Sequence, residues 1–118
     1  MSNKYSSVKS EADGVFFDSK KERDRYLQLK LLERAGEITD LTLQPKFWIK
    51  IGERPVLIRS AGYPNGRRAS YKADFSYYDK RAQKTIVEDV KSAGTRTEAY
   101  ALRRAIVETQ YQIEVREV

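Results

Sequence analysis

The sequence predicts a mixed α/β domain in which helices pack on a small central sheet, in the order α-β-β-β-β-α-β. Three observations carry this expectation. Residues 20–35 repeat apolar side chains at helical spacing between a cap signal and a glycine. Four runs in the middle of the chain are β-branched, aromatic or alternating. A second amphipathic stretch follows Gly94-Thr95, and the alternating run 112–118 follows it.

The polar, Ser-rich residues 1–14 read as a flexible arm, which leaves 15–118 as a single domain. Ser19 followed three residues later by Glu22 is a capping box, and Tyr26, Leu29 and Leu32 then continue the helix to Gly36, a C′ glycine. Lys46 to Ile51 reads as a strand, Gly52 to Pro55 as a turn, and Val56 to Ile58 as a short return. Residues 59–72 hold Arg59, Arg67, Arg68 and Lys72 and no acid, and Asn65-Gly66 marks a tight turn in an exposed cationic loop or hairpin tip. Tyr71 to Tyr78 alternates, with Tyr71, Ala73, Phe75 and Tyr77 on one face. Asp79 to Ala82 turns the chain into the strand 84–91, and the two strands pair antiparallel. Thr95 or Thr97 caps the second helix, whose apolar stripe is Ala99, Leu102 and Ile106.

Composition removes whole classes of chemistry. The 118 residues contain no Cys and no His. Disulfides, thiolate or imidazole metal sites and His general bases are therefore excluded. Carboxylates, lysine, tyrosine and hydroxyls remain, and oxygen donors suit Mg²⁺ or Mn²⁺. With 23 Lys and Arg against 17 Asp and Glu the net charge is +6, which favours a polyanionic partner. No run approaches the ~20 apolar residues of a membrane span, and no signal-peptide core precedes the domain, so no membrane partner and a cytoplasmic location are expected.

The chemistry concentrates in Asp74 and Asp89-Val90-Lys91. Asp89 and Lys91 share a strand face, and hairpin pairing brings Asp74 beside Asp89. Two adjacent carboxylates repel; a divalent cation relieves that conflict, polarises a phosphoryl oxygen and activates water. The neighbouring Lys91 is placed to orient that water or to meet charge developing on the phosphate.

The order Asp74 … Asp89-Val90-Lys91 resembles the signature of the PD-(D/E)XK nuclease superfamily. The runs 19–47, 71–79, 87–92 and 97–106 are similar, in order, to a phage-encoded family of small nucleases grouped with Holliday-junction-resolvase-like enzymes; the likeness spans roughly residues 14–118. It implies a restriction-endonuclease-like core and Mg²⁺- or Mn²⁺-dependent cleavage of DNA phosphodiesters, selective for branched or junction DNA, in phage recombination or replication. It implies Asp74 and Asp89 as metal ligands together with the Val90 carbonyl, Lys91 as the catalytic lysine and Glu22 as the carboxylate from the first helix. It also implies that Gln44 lies near the site. Ala73 replaces the Pro that commonly precedes the first Asp.

Each residue also has a plainer explanation. Asp74 fits a solvated strand face, Asp89 and Lys91 a surface ion pair, Glu22 a capping box, and Gln44 a strand-end hydrogen bond. Glu88 shares the parity of Ile86 and Val90, so it either pairs with a basic side chain or reaches the metal through a bulge. The DNA-contact set is Arg59, Arg67, Arg68 and Lys72 on the loop, and Arg96, Tyr100 and Arg103 on the second helix. Two coordinated cuts on a two-fold symmetric junction would require a homodimer. The competing functions are a non-catalytic DNA-binding module that retains a nuclease fold, and a protein-interaction module whose charge serves solubility.

Overall fold

The structure is a computed structural model that describes residues 10–90 and 97–118. Asp13-Gly14 joins β1 (Ser10–Ala12) to β2 (Val15–Phe17) in an antiparallel hairpin. Both turn residues have positive φ, +50° and +77°, the geometry that Asp-Gly pairs favour in two-residue hairpins. Residues 10–14, expected in a flexible arm, are thus part of the domain. Phe17 is buried against Tyr26, with ring centroids 5.0 Å apart, and the Tyr26 hydroxyl donates to Asp13 Oδ2 at 3.0 Å.

Helix α1 (Lys20–Arg34) starts where the capping signal places it: Ser19 Oγ accepts the Glu22 N–H at 3.1 Å. It ends in a Schellman closure, with the Gly36 N–H on Glu33 O and the Glu37 N–H on Leu32 O, both at 3.0 Å. Glu22, Tyr26 and Leu29, four and three residues apart, form its buried face.

The chain then runs through β3 (Ile38–Leu43), β4 (Lys46–Trp48), β5 (Lys50–Ile51), β6 (Arg54–Pro55), β7 (Leu57–Ser60), β8 (Tyr63–Arg68) and β9 (Ser70–Lys72). It continues into β10 (Phe75–Asp79), β11 (Lys84–Asp89), α2 (Glu98–Tyr111) and β12 (Glu114–Glu117). The central sheet has the order β12-β11-β10-β3. β11 and β12 are parallel, a pairing that needs a crossover, and α2 supplies it. The other two pairings are antiparallel.

A helix covers each face of this sheet. On the α1 side Phe75, Tyr77 and Ile86 join Phe17, Tyr26 and Leu29 in one apolar core. On the α2 side Val87 and Val115 join Val107, Tyr71, Ala73, Ile49 and Ala69 in a second. Full burial of such side chains stabilises the fold by about 1.5–3 kcal/mol each.

Four sequence-based expectations change here. The first strand of the sheet is Ile38–Leu43, not the run beginning at Lys46; the latter splits at buried Ile49, with β4 pairing β9 and β5 pairing β6. The alternation over Tyr71–Tyr78 is broken at Ala73-Asp74: Tyr71 and Ala73 pack on the α2 side, Phe75 and Tyr77 on the α1 side. On α2 the packed side chains are Tyr100, Ile106 and Val107, whereas Ala99 and Leu102 are exposed, so the helix is rotated relative to the stripe read from its apolar residues. The turn in the basic hairpin is Ala61-Gly62, not Asn65-Gly66. Gly66 lies inside β8 at φ +90°, where a Cβ would sit 3.0 Å from that of Leu57; its role is close strand approach. Thr97, not Thr95, is the N-cap of α2, its Oγ1 accepting the Tyr100 N–H at 3.1 Å.

Candidate active site

The end of the β10–β11 ladder assembles the site. The ladder ends at the pair Phe75↔Glu88, so Asp74 and Asp89 are the next residues on the two strands. Asp74 sits at the bend between β9 and β10 and is fastened on both sides. Its N–H donates to Glu88 O at 3.0 Å, and its carbonyl accepts the Gln44 N–H at 2.8 Å. Its Oδ2 accepts the Val90 N–H at 2.7 Å, so the carboxylate is aimed at the strand that carries Asp89.

Glu22 reaches Asp74 from the first turn of α1. It is 6% exposed, and it lines a cavity of about 170 Å³ with Asp74, Gln44, Leu43 and Phe17. Burial, then the Asp74 and Asp18 carboxylates, push its carboxyl up to about 7, and the Lys72 ammonium offsets part of this. Gln44, at φ +51°, turns the chain out of β3 beside Asp74. The helix cap explains the Glu22 backbone; only the fold brings its side chain to Asp74.

Asp89 is 2% exposed and lies on the α2 side. Its Oδ2 accepts hydroxyl hydrogens from Tyr100, at 2.7 Å, and from Tyr71. Burial and the bond to Asp89 push the Tyr71 hydroxyl far above the ordinary tyrosine range, so it stays a donor at every physiological pH. The two tyrosines also line a cleft of about 340 Å³ with Lys72, Thr97 and Arg103. Tyr100, expected to contact DNA, is therefore a partner of Asp89, while Arg103 and Lys72 border the same cleft.

Glu88 is not placed for a metal on the Asp89 side. It is 1% exposed and belongs to the α1 face, where Arg25 grips it with two bonds, Nε to Oε1 at 2.7 Å and Nη2 to Oε2 at 2.6 Å, and Tyr77 donates a third. Of the two readings left open for Glu88, the geometry matches pairing with a basic side chain. No bulge interrupts the β10–β11 register at this residue.

Arg59, Arg67, Arg68 and Lys72 are exposed, as expected for the basic hairpin and the strand that follows it. Lys91 and Arg96 lie outside the described residues. Among the described residues, no three carboxylates come close enough to hold one metal ion. No helix among them is long and apolar enough to cross a membrane.

Sequence reasoning missed Arg25 and the role of Tyr71. Arg25 was discoverable: it stands three residues after Glu22, on the same side of a helix, and a carboxylate between Ile86 and Val90 demands a cation. Tyr71 was not, because the break at Ala73-Asp74 reverses its face.

Over residues 2–117 the chain matches a family described as "Protein of unknown function (DUF1064)", and it belongs to that family. No curated protein and no solved structure matches it.

Proposed function

We propose that this protein is a metal-dependent DNA endonuclease that hydrolyses phosphodiester bonds, with branched or junction DNA as its substrate class and phage recombination or replication as its setting. The observation that carries the proposal is the meeting of Glu22 and Asp74 at one small cavity, close to Asp89, with the Glu22 carboxyl raised to about 7 by burial first and by the Asp74 carboxylate second. A buried carboxylate beside a second one is costly to ionise, and a divalent cation relieves that cost. An all-oxygen donor set of this kind fits Mg²⁺ or Mn²⁺. The mixed sheet with one helix on each face also fits the PD-(D/E)XK resemblance.

In this reading Asp74, Asp89 and the Val90 carbonyl would hold the cation, with Glu22 standing beside Asp74 at the edge of the site. When bound, the cation supplies Lewis acidity at the phosphoryl group and lowers the pKa of the attacking water. The protein's own groups do the rest. The Val90 N–H fixes the Asp74 carboxylate. The Tyr71 and Tyr100 hydroxyls hold one oxygen of Asp89 and so fix the orientation of its carboxylate. Lys91 lies two residues after Asp89 and meets charge developing on the phosphate. Lys72, close enough to act on Glu22 and also lining the cleft beside Asp89, steers the anionic backbone into place.

One observation favours a second reading, a DNA-binding module without catalysis: the Asp89 carboxylate is held by two tyrosines on the α2 side, and no three described carboxylates cluster. A single experiment separates the two. A four-way junction, a Y-fork, linear duplex and single strand are incubated with wild type, Lys91→Ala and Asp74→Asn in Mg²⁺, Mn²⁺ or EDTA. Metal-dependent cutting by wild type, reduced at least a hundredfold in both variants, supports the nuclease. Binding of the junction without cutting under any ion supports the module.

A further inference from the structure

The cations of this protein are not spread evenly. Between Gln44 and Ala73 there are seven Lys and Arg and one acid, Glu53, an excess equal to the +6 of the whole chain; the remainder of the chain is neutral. That stretch is an insertion in the central sheet. It leaves at Gln44-Pro45 and returns at Ala73-Asp74, and the two roots are tied by the Gln44 N–H on Asp74 O and the Ala73 N–H on Pro45 O, at 2.8 and 3.1 Å. The base of the insertion is packed: Ile49, Ala69 and Tyr71 are buried on the α2 side. Its outer part is not. In the β7–β8 hairpin every residue except Ile58 and Gly66 is exposed, and Leu57 and Tyr63 are about half exposed. A two-stranded ribbon with no buried face is at best marginally stable by itself. Among the described residues, no cation of the insertion is paired with a carboxylate.

We propose that this insertion is an arm that grips the phosphate backbone of duplex DNA beside the candidate active site. Three features select this partner. Arg59, Arg67 and Arg68, none of them in an ion pair with a described carboxylate, suit phosphate, which guanidinium groups bind through paired hydrogen bonds. Two aromatic rings on the arm, Tyr63 and Trp48, are already engaged by cations. Arg67 lies 5.3 Å from the Tyr63 ring centre, and Lys46 and Arg68 each lie 4.4 Å from that of Trp48. Single-strand binders instead present open aromatic faces to bases. From Ala73 to the tip at Ala61-Gly62 the arm reaches at most about 35 Å at ~3.3 Å per residue, no more than about one turn of duplex. Because the arm starts at Asp74, duplex held along it presents its backbone to Glu22 and Asp74. The inference takes DNA as the polyanion from the nuclease reading, but it is tested without cleavage.

The test is fluorescence anisotropy in EDTA, with labelled duplex and single strand of equal length, on wild type and Arg59→Gln/Arg67→Gln/Arg68→Gln. Wild type is expected to prefer duplex. The triple variant is expected to lose at least tenfold in duplex affinity, with the slope of log K against log salt shallower by up to about 3. Its melting temperature should move by no more than a few degrees, because the three side chains are exposed and hold no carboxylate, and only Arg67 and Arg68 give up a ring contact. Unchanged duplex affinity in the variant overturns the proposal. So does equal binding of single strand, or no DNA binding by wild type; the last outcome points instead to an acidic protein partner. Arm-dependent duplex binding without any metal-dependent cleavage would leave the arm standing and remove only the nuclease reading.

Discussion

The body of the domain and the arm inserted in it are built on opposite principles. In the body, Arg23, Arg25, Lys30, Lys84, Arg104 and Arg116 each hold a carboxylate, and two apolar cores flank the sheet. In the outer arm the cations are unmatched and scarcely any side chain is buried. Stability therefore resides in the body, and the arm is free to carry charge that a folding unit would not tolerate, since like charges repel wherever they are packed. The two meet at Asp74, which belongs to both: it ends the arm and opens the central strand.

The sharpest way to break this comparison is to truncate one large side chain in each region. Phe75 is fully buried between the strands and α1. Phe75→Ala should cost about 3–5 kcal/mol in urea unfolding. Leu57→Ala, in the exposed hairpin, should change stability by less than about 0.5 kcal/mol. Comparable losses would show that the arm is part of the folding core.

The next effect concerns the ion pair that couples α1 to β11. Arg25→Ala leaves the Glu88 carboxylate buried without its cation and should cost about 3 kcal/mol. Adding Glu88→Gln to that variant should recover part of the loss, because a neutral amide is cheaper to bury. If the double variant is as unstable as the single one, packing rather than charge is at stake.

The smaller effect is a pH dependence seated in Glu22. Its carboxyl is raised from 4.5 to about 7 in the folded protein. Below pH 4.5 it is protonated in both states, and its contribution to stability is fully present. Between 4.5 and 7 the folded state retains a proton that the unfolded chain has lost, so stability falls as pH rises and levels off above 7. The span is at most about 3 kcal/mol at 1.36 kcal/mol per pH unit, less where solvent reaches the group. Thermal unfolding across this range should show a slope that Glu22→Gln abolishes. An identical slope in that variant would assign the titration to another group.

Much of the body was legible. The boundaries of α1 rest on Ser19, Glu22 and Gly36, whose effects are local. The antiparallel pair that brings Asp74 to the strand carrying Asp89 follows from two strands and a short turn at Lys80–Gln83. The arm was legible as charge but not as shape. Asn65-Gly66 is a strong turn signal, yet the register of the ribbon places the turn at Ala61-Gly62. The Asp13-Gly14 hairpin was passed over because its strands are only three residues long, too short for alternation to be visible. On α2 apolar residues occur around the helix, so hydrophobicity alone did not choose the buried face; Tyr100, held by Asp89, and Val107 did.

By itself the sequence determined the chemistry available to this protein and the places where chain segments start and stop. The absence of His and Cys leaves carboxylates and tyrosines as the reactive groups, and capping and turn residues act over three or four neighbours at most. Only the tertiary structure decided which carboxylates act together. Glu22 and Asp74 are far apart in sequence and share a cavity, and Glu88 and Asp89 are adjacent yet face opposite helices, one gripped by Arg25 and the other by Tyr71 and Tyr100. Neighbouring residues of a strand point to opposite faces, and what waits on each face is set by packing across the whole domain.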